Sequence, residues 1–205
     1  TFVRTPVVSS LTARVEVLTK VRNDGDESRE CTLVTTVVDA EGKPIGSTES
    51  RRPLAPGQMY EFVQRVQVAQ PHLWSVDDPY LYRLQSVVKE GDLVVDRDET
   101  TMGIREIAFD ADRGFLLNSE QVKIKGVCLH HDGGCVGAAV PERVWERRLE
   151  TLKAMGCNGI RASHYPPAPE FLDLCDRMGF LVMDENFDEW RIGKFDYGYH
   201  ECFDE

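Results

Sequence analysis

Apolar and polar side chains alternate along most of residues 1–102, which is the two-residue period of a β-strand. Residues that favour turns separate the alternating stretches, as at 23–26, which reads Asn-Asp-Gly-Asp. The clearest alternation runs over 13–21, 31–37, 60–68 and 80–86. About seven short strands within roughly 100 residues predict an immunoglobulin-like β-sandwich.

Beyond residue 103 the pattern changes to strands and helices in alternation. Short apolar runs predict three strands, at 122–127, 159–162 and 180–183. Between them lie two stretches of helical spacing, one beginning at Pro141 and one over 170–177. This alternation predicts parallel strands. Polar residues at the ends of such strands are typical of α/β barrels, so we interpret this half as the first β/α units of a (β/α)8 barrel. A complete barrel takes about 250 residues, so the barrel is expected to be incomplete.

These patterns divide the chain into two predicted domains. Residues 1–102 form the sandwich, and residues 103–205 form the N-terminal part of a TIM-barrel domain. A small hairpin is expected over 109–118, with a turn at 112–114. No segment rich in Pro or Ser separates the halves, so the two domains are expected to pack rather than swing.

Composition and charge narrow the classes of partner. The hydrophobic content of 41% is enough for a packed core, and the net charge of −11 would repel a nucleic-acid backbone. No run approaches the roughly 20 apolar residues of a membrane helix, and residue 1 does not open a secretory leader. We therefore expect no nucleic acid and no membrane as partner. The compartment stays open between cytoplasm and periplasm, and so does assembly into a homo-oligomer.

The six cysteines are scattered without a CxxC pair, so free thiols are expected rather than a disulfide framework. Cys128, His130, His131 and Cys135 could be drawn as a zinc cluster, which keeps a metal-binding module open as an alternative. The usual pair spacing of a zinc site is missing there. We predict no metal and no other cofactor.

Polar residues directly follow two of the predicted barrel strands, where α/β barrels keep their chemistry. Ser163 and His164 come after the second strand, which carries Arg161, and Asp184 and Glu185 come after the third. Because Asp184 and Glu185 are adjacent in an extended segment, their side chains point to opposite faces and cannot form a catalytic pair. One of them is expected to bind Arg161 or a backbone group.

Several spaced motifs in this half resemble glycoside hydrolase family 2, which holds β-galactosidases, β-glucuronidases and β-mannosidases. They are the runs KGVCLHHD at 125–132, NGIRASHYP at 158–166, CDRMG at 175–179 and MDE at 183–185. In the first half, the stretch 74–82 resembles the closing segment of the family's sandwich domain. The resemblance implies part of a retaining exo-β-glycosidase acting on terminal β-D-galactosides. The His-His-Asp-Gly-Gly run at 130–134 favours galactosides over glucuronides and mannosides.

The resemblance also implies a set of substrate-binding residues, namely His130, Asp132, Arg161 and His164. The two histidines would contact sugar hydroxyls, since a neutral imidazole can donate or accept a hydrogen bond. Arg161 would orient a catalytic carboxylate through its guanidinium fork, and an ion pair with Asp184 or Glu185 is the structural alternative. The role of His131 stays open.

No catalytic residue is expected within this chain. Retaining glycosidases use two carboxyl groups roughly 5 Å apart, and the resemblance places both glutamates on later strands, beyond residue 205. The chain alone is therefore expected to be inactive. Glu189 falls where some family members have a magnesium ligand, but Arg191 replaces their histidine, which argues against that metal site.

A non-catalytic carbohydrate-binding or scaffold module remains as an alternative of a different class. It would need an exposed aromatic platform on the sandwich, for which Trp74 and Tyr80 are the candidates. In either case the expected partner is a β-galactoside or a related small saccharide.

Overall fold

The computed structural model of the protein describes residues 1–202, and the chain forms two compact units that divide between Val122 and Lys123. The first unit contains a seven-stranded β-sandwich. Its strands are β1 (Phe2–Val8), β2 (Thr12–Arg22), β3 (Arg29–Val38), β4 (Pro44–Leu54), β5 (Met59–Ala69), β6 (Tyr82–Glu90) and β7 (Leu93–Met102). One sheet has the order β1-β2-β5 and the other β4-β3-β6-β7, with antiparallel neighbours throughout. The predicted immunoglobulin-like sandwich is confirmed.

Alternate residues of the strands build the core of the sandwich, as the two-residue period requires. On β2, Ala13, Val15 and Val17 are fully buried. One polar side chain, Gln64, lies among the apolar ones and is satisfied there. Its amide nitrogen donates to the carbonyl of Leu33 (3.0 Å), and its oxygen accepts from the hydroxyl of Thr35 (2.6 Å).

Trp74 belongs to this core, with only 1% of its surface exposed. Its backbone N–H donates to the carbonyl of Ile104 (2.9 Å), and the guanidinium of Arg105 lies 4.6 Å from the ring centroid. Tyr80 is half-buried and stacks on the ring of His72, with centroids 4.1 Å apart. The exposed aromatic platform that a carbohydrate-binding sandwich would need is therefore absent at both candidate residues.

A small hairpin follows the sandwich, as predicted, and groups with it in the first unit. Its strands are β8 (Ile107–Asp110), β9 (Gly114–Leu117) and β10 (Glu120–Gln121). The side-chain amide of Asn118 donates to the carbonyl of Trp74 (3.0 Å), which ties the hairpin to the sandwich core. The compact units thus divide after this hairpin, whereas the proposed domains, 1–102 and 103–205, follow the change of sequence pattern.

The second unit contains three parallel strands in the order of the chain. They are β11 (Gly126–Leu129), β12 (Gly159–Ala162) and β13 (Leu181–Met183), joined through α1 (Glu142–Ala154) and α2 (Pro169–Met178). This is the start of a TIM barrel, as predicted. The first strand begins later than the predicted residue 122, because the side chain of Asn158 bonds the backbone of Lys125 (2.7 Å) and Lys123 (3.1 Å) there.

The two helices pack on the sheet through one apolar cluster. Its fully or nearly fully buried members are Trp145, Leu149, Ile160, Phe171, Leu174, Cys175 and Phe180. Helix α2 starts with Pro169 at its first position and ends at Gly179, whose φ of 72° is the left-handed conformation that glycine favours.

All six cysteines are free thiols, as predicted. Within residues 1–202, none of the helices combines the length and the apolar character needed to cross a bilayer.

Candidate functional site

The carboxyl ends of the three parallel strands carry the candidate site. Arg161 lies on β12, His164 lies in the loop after it, and His130 directly follows β11. Neighbouring parallel strands end at the same edge of a sheet, so their following residues meet. The rings of His130 and His164 have centroids 5.6 Å apart, which brings the two predicted sugar contacts together.

Glu185, just after β13, holds two of these residues. Its Oε1 accepts a hydrogen bond from Nε of Arg161 (2.5 Å), and its Oε2 accepts one from the backbone N–H of His164 (2.9 Å). Glu185 is therefore the member of the acidic pair that binds Arg161, and it binds a backbone group as well. The hydrogen bond from Arg161, followed by that from His164, lowers the pKa of the Glu185 carboxyl and keeps it ionised.

The guanidinium of Arg161 reaches a second group through Nη1, which donates to Sγ of Cys128 on β11 (3.8 Å). The guanidinium of Arg161 holds the pKa of the Cys128 thiol below its usual range. The predicted ion pair of Arg161 thus exists, and its side chain also spans from β13 to β11 across the strand ends.

His164 has a constrained conformation. Its φ of 74° lies in the left-handed region, which is uncommon for a residue other than glycine. Its ring Nδ1 lies 2.9 Å from Oδ1 of Asp188, and the side chain is 39% exposed. Within residues 1–202, nothing hydrogen-bonds its Nε2. The ring therefore presents one unoccupied nitrogen beside His130.

Asp132 contacts its own loop and helix α1. Its Oδ1 accepts from the backbone N–H of Gly134 (2.7 Å), and its carbonyl accepts from Nη1 of Arg148 (2.6 Å). Among the described contacts, none joins Asp132 to His164. The neighbouring His131 packs edge-to-face on the ring of Tyr165, with centroids 4.8 Å apart.

Two acidic residues that sequence reasoning left without a role complete the site. Asp188 accepts from Nζ of Lys194 (2.7 Å) with the same Oδ1 that faces His164. The hydrogen bond from Lys194 is the main cause that lowers the pKa of Asp188. In the sequence, Asp188 is marked only by its position a few residues after the end of β13.

Glu189 is 5% exposed and organises the loop that follows. Its carboxylate accepts from the backbone N–H of Lys194 (2.7 Å), from the backbone N–H of His200 (3.2 Å) and from Nδ1 of His200 (2.8 Å). These bonds, the one from Lys194 first, lower its pKa to about 2. A side chain on Gly198 would collide with the carboxylate, so the loop closes tightly around it.

The alternative of a metal-binding module lacks its cluster. Among the residues that the structure describes, no three His, Cys, Asp or Glu side chains group closely enough to hold a metal ion. Cys128 lies beside Arg161 instead, where a cation disfavours a second cation.

Comparison with known families decides the assignment. The family described as "Glycosyl hydrolases family 2" matches residues 1–105, and "Glycosyl hydrolases family 2, TIM barrel domain" matches residues 110–191. The chain belongs to glycosyl hydrolase family 2. The two matched ranges also cover, in order, the sandwich and the first part of the barrel, so the resemblance drawn from the motifs is confirmed.

Among curated family 2 relatives, the chain is similar to Beta-galactosidase BoGH2A of Bacteroides ovatus, with 48% identity over all 205 residues and 24% of that protein's length. It is also similar to a protein of Formosa agariphila named "Putative beta-glucuronidase", with 44% identity over 142 residues, which cover 69% of this chain and 14% of that protein.

Solved structures of a family 2 member and of a beta-glucuronidase share the fold. A member from Bacteroides cellulosilyticus matches the whole chain over 26% of its own length, with a TM-score of 0.94 and 40% identity. The match to Bacteroides uniformis beta-glucuronidase covers 95% of this chain and 24% of that protein's chain, with a TM-score of 0.87 and 29% identity. The chain thus spans about a quarter of the length of these two structures and of the B. ovatus relative.

Proposed function

We propose that this chain is part of a retaining exo-β-glycosidase that hydrolyses terminal β-D-galactosides. The observation that carries the proposal is the cluster at the strand ends, in which Glu185 fixes both Arg161 and His164 beside His130. Such a fixed group of hydrogen-bonding side chains suits recognition of several hydroxyls on one sugar ring.

Each residue has a role in this proposal. His164 and His130 contact hydroxyls of the terminal sugar, with hydrogen bonds that strengthen as the oxocarbenium-like transition state forms. Arg161, held by Glu185, offers its remaining N–H groups to a catalytic carboxylate from a later strand. Asp132 is proposed as a further substrate contact from the loop after β11.

Both catalytic glutamates are proposed to lie on later barrel strands, outside this chain. The chain by itself then binds part of the sugar and hydrolyses nothing. This follows the geometry of retaining enzymes, which need two carboxyl groups roughly 5 Å apart facing the same bond. Neither Glu185, which is bound to Arg161, nor Glu189, which is enclosed by its loop, is free for such a task.

Hydrolysis of β-glucuronides is the second candidate, because the F. agariphila relative carries that name. A glucuronide brings a carboxylate that needs a cation. Two cations of the site are engaged already, Arg161 with Glu185 (2.5 Å) and Lys194 with Asp188 (2.7 Å). This pairing favours a neutral sugar, and hence a galactoside.

A panel of chromogenic β-galactosides, β-glucuronides and β-mannosides tests the proposal. It is applied to the 205-residue chain and to a version extended through its natural continuation, each with a H164A variant. We expect cleavage by the extended version only, with preference for the galactoside and a loss in H164A. Preference for glucuronide would select the second candidate, and turnover by the short chain that depends on its site residues would contradict the placement of the catalytic glutamates.

A further inference from the structure

We propose that Asp188 is a positioning residue that fixes the ring of His164, so that Nε2 of the imidazole faces a substrate hydroxyl as a hydrogen-bond acceptor. The proposal rests on the proposed function for the identity of the substrate, but its structural part stands on the residues of this chain alone. It assigns a role to a side chain in the loop after β13, outside the motifs that pointed to the family.

Two different carboxylates hold His164, and they hold different parts of it. Glu185 binds the backbone N–H (2.9 Å), which stabilises the left-handed φ of 74°. Oδ1 of Asp188 lies 2.9 Å from Nδ1 of the ring. The distance from Glu185 to Nδ1 is 3.7 Å, which is too long for a hydrogen bond. The ring orientation therefore depends on Asp188.

The chemistry of imidazole turns this contact into a choice of tautomer. An ionised carboxylate 2.9 Å from Nδ1 repels a lone pair and attracts an N–H, so the contact favours the tautomer with the proton on Nδ1. In the neutral ring Nε2 then bears a lone pair and accepts from a hydroxyl. Without Asp188 the ring is free to rotate and to move its proton to Nε2, which would turn the acceptor into a donor.

The loop keeps Asp188 ionised and in place. Nζ of Lys194 donates to Asp188 Oδ1 (2.7 Å), and this bond is the main reason why the pKa of Asp188 is lowered. The backbone N–H of Lys194 is itself bound by Glu189 (2.7 Å). A continuous set of contacts thus runs from the buried Glu189 through Lys194 and Asp188 to His164.

The tautomer of His164 is directly measurable in the 205-residue chain, which has only five histidines. A two-bond ¹H–¹⁵N spectrum of the imidazoles would be recorded at about pH 8.5, where an unperturbed imidazole is neutral. H164Q assigns the signal. We expect the Nδ1–H tautomer in the parent chain and in D188N, whose amide oxygen still accepts, and a shift to Nε2–H in D188A.

Asp196→Ala, in the same loop and exposed, is the matched control and should leave the His164 signal unchanged. A parent chain with Nε2–H on His164, or a D188A variant with the parent spectrum, overturns the proposal. Because D188N retains the shape of the side chain, it also separates a loss of the contact with Nδ1 from a local loss of structure.

Hydrolysis by the extended version gives a second readout. We expect D188A to lower kcat/KM by up to about 100-fold, since misplacement of a contact group by an ångström has effects of that size. D188A combined with H164A should lose little more than H164A alone, because both changes remove one contact. Additive losses would contradict positioning through His164. If Asp188 fixes the tautomer but no glycoside is cleaved, the proposed function is wrong. The positioning of His164 by Asp188 would still hold.

Discussion

Ion pairs with defined geometry organise the candidate site at the scale of single residues. Arg161 pairs with Glu185 and Lys194 with Asp188, and the ring of His200 hydrogen-bonds Glu189. In each case the carboxylate also binds a second group, so that the pair orients a neighbour. The value of these pairs lies in the orientation they impose, because partly exposed ion pairs contribute little to stability.

Replacement of Arg161 by Lys tests that orientation. Lys keeps the charge but has no planar fork, so it cannot hold Glu185 and still reach a second group. We expect R161K to lower kcat/KM of the extended version by about 10- to 100-fold, as expected for misplacement of about 1 Å. Arg177→Lys on α2, whose contact to Glu142 lies on the surface, serves as control. Equal activity of R161K and R177K would contradict the role.

The pH dependence of the loop after β13 follows from Glu189. Its pKa is about 2 in the folded chain and lies below the ordinary value of 4.5, so the ionised form is the one that folding stabilises. The stabilisation is complete above about pH 4.5 and is lost as the pH falls through 2. Protection of the amides of Lys194 and His200 from hydrogen exchange should decline over this window in the parent chain.

Glu189→Gln provides the comparison for this measurement. The amide does not titrate, so the protection of both N–H groups should lack the acidic decline. The amide is also uncharged and accepts weaker hydrogen bonds, so this protection should be weaker at neutral pH. A parent chain with unchanged protection factors down to pH 2 would show that the carboxylate does not hold the loop.

The sequence allowed part of this site to be predicted. Arg161 and His164 were predictable as site residues because they lie at the end of a predicted strand. Glu185 was predictable because it lies next to the end of the following strand. Asp188 and Glu189 could not be assigned, because their partners at 194 and 200 come close only when the loop folds back. The period of the sequence carries no signal for contacts that form when a loop folds back. His200 could not be assigned for the same reason.

Burial of apolar faces determines the structure at the scale of elements. Helix α1 places Trp145 and Leu149 against α2, where the rings of Trp145 and Phe171 have centroids 5.1 Å apart. These positions were predictable from helical spacing, and the predicted bounds of α2 differ from the observed Pro169–Met178 by one residue at each end. The start of β11 was not predictable, because side-chain bonds from Asn158 replace the strand pairing there.

Truncation of Leu149 should strongly destabilise the second unit. The side chain is fully buried, and removal of a buried leucine costs about 2–5 kcal/mol of unfolding free energy. Denaturant unfolding followed by far-UV circular dichroism at the helix band would measure the effect of L149A. Leu11→Ala, at a residue that is 73% exposed, should change the free energy by less than about 0.5 kcal/mol. Equal effects of the two changes would contradict the core assignment.

The parallel sheet has consequences at the scale of the whole molecule. Within the described residues, β11 and β13 each pair with β12 alone, so each leaves one edge without a strand neighbour. Unpaired strand edges invite pairing with another chain. The sandwich was predictable as a whole from its period, whereas the state of association depends on edges that no sequence period describes.

Self-association of the 205-residue chain is therefore expected and should weaken in the extended version, in which further strands cover the edge of β13. Sedimentation velocity over a range of concentrations would measure it. Met183→Lys places a charge on this edge, at a residue that is 64% exposed, and should reduce association. Met155→Lys, at a methionine after α1 that is 70% exposed, should not. Identical behaviour of both variants would contradict association through the sheet edge.

The left-handed backbone conformation of His164 lowers local stability at a residue that is proposed to bind the substrate. A residue other than glycine costs about 1–2 kcal/mol in this conformation, so glycine at position 164 would relieve strain while removing the imidazole. Directed evolution for heat resistance alone should therefore drift away from histidine here, whereas selection for turnover should restore it. Position 164 would then record which of the two pressures a lineage has experienced.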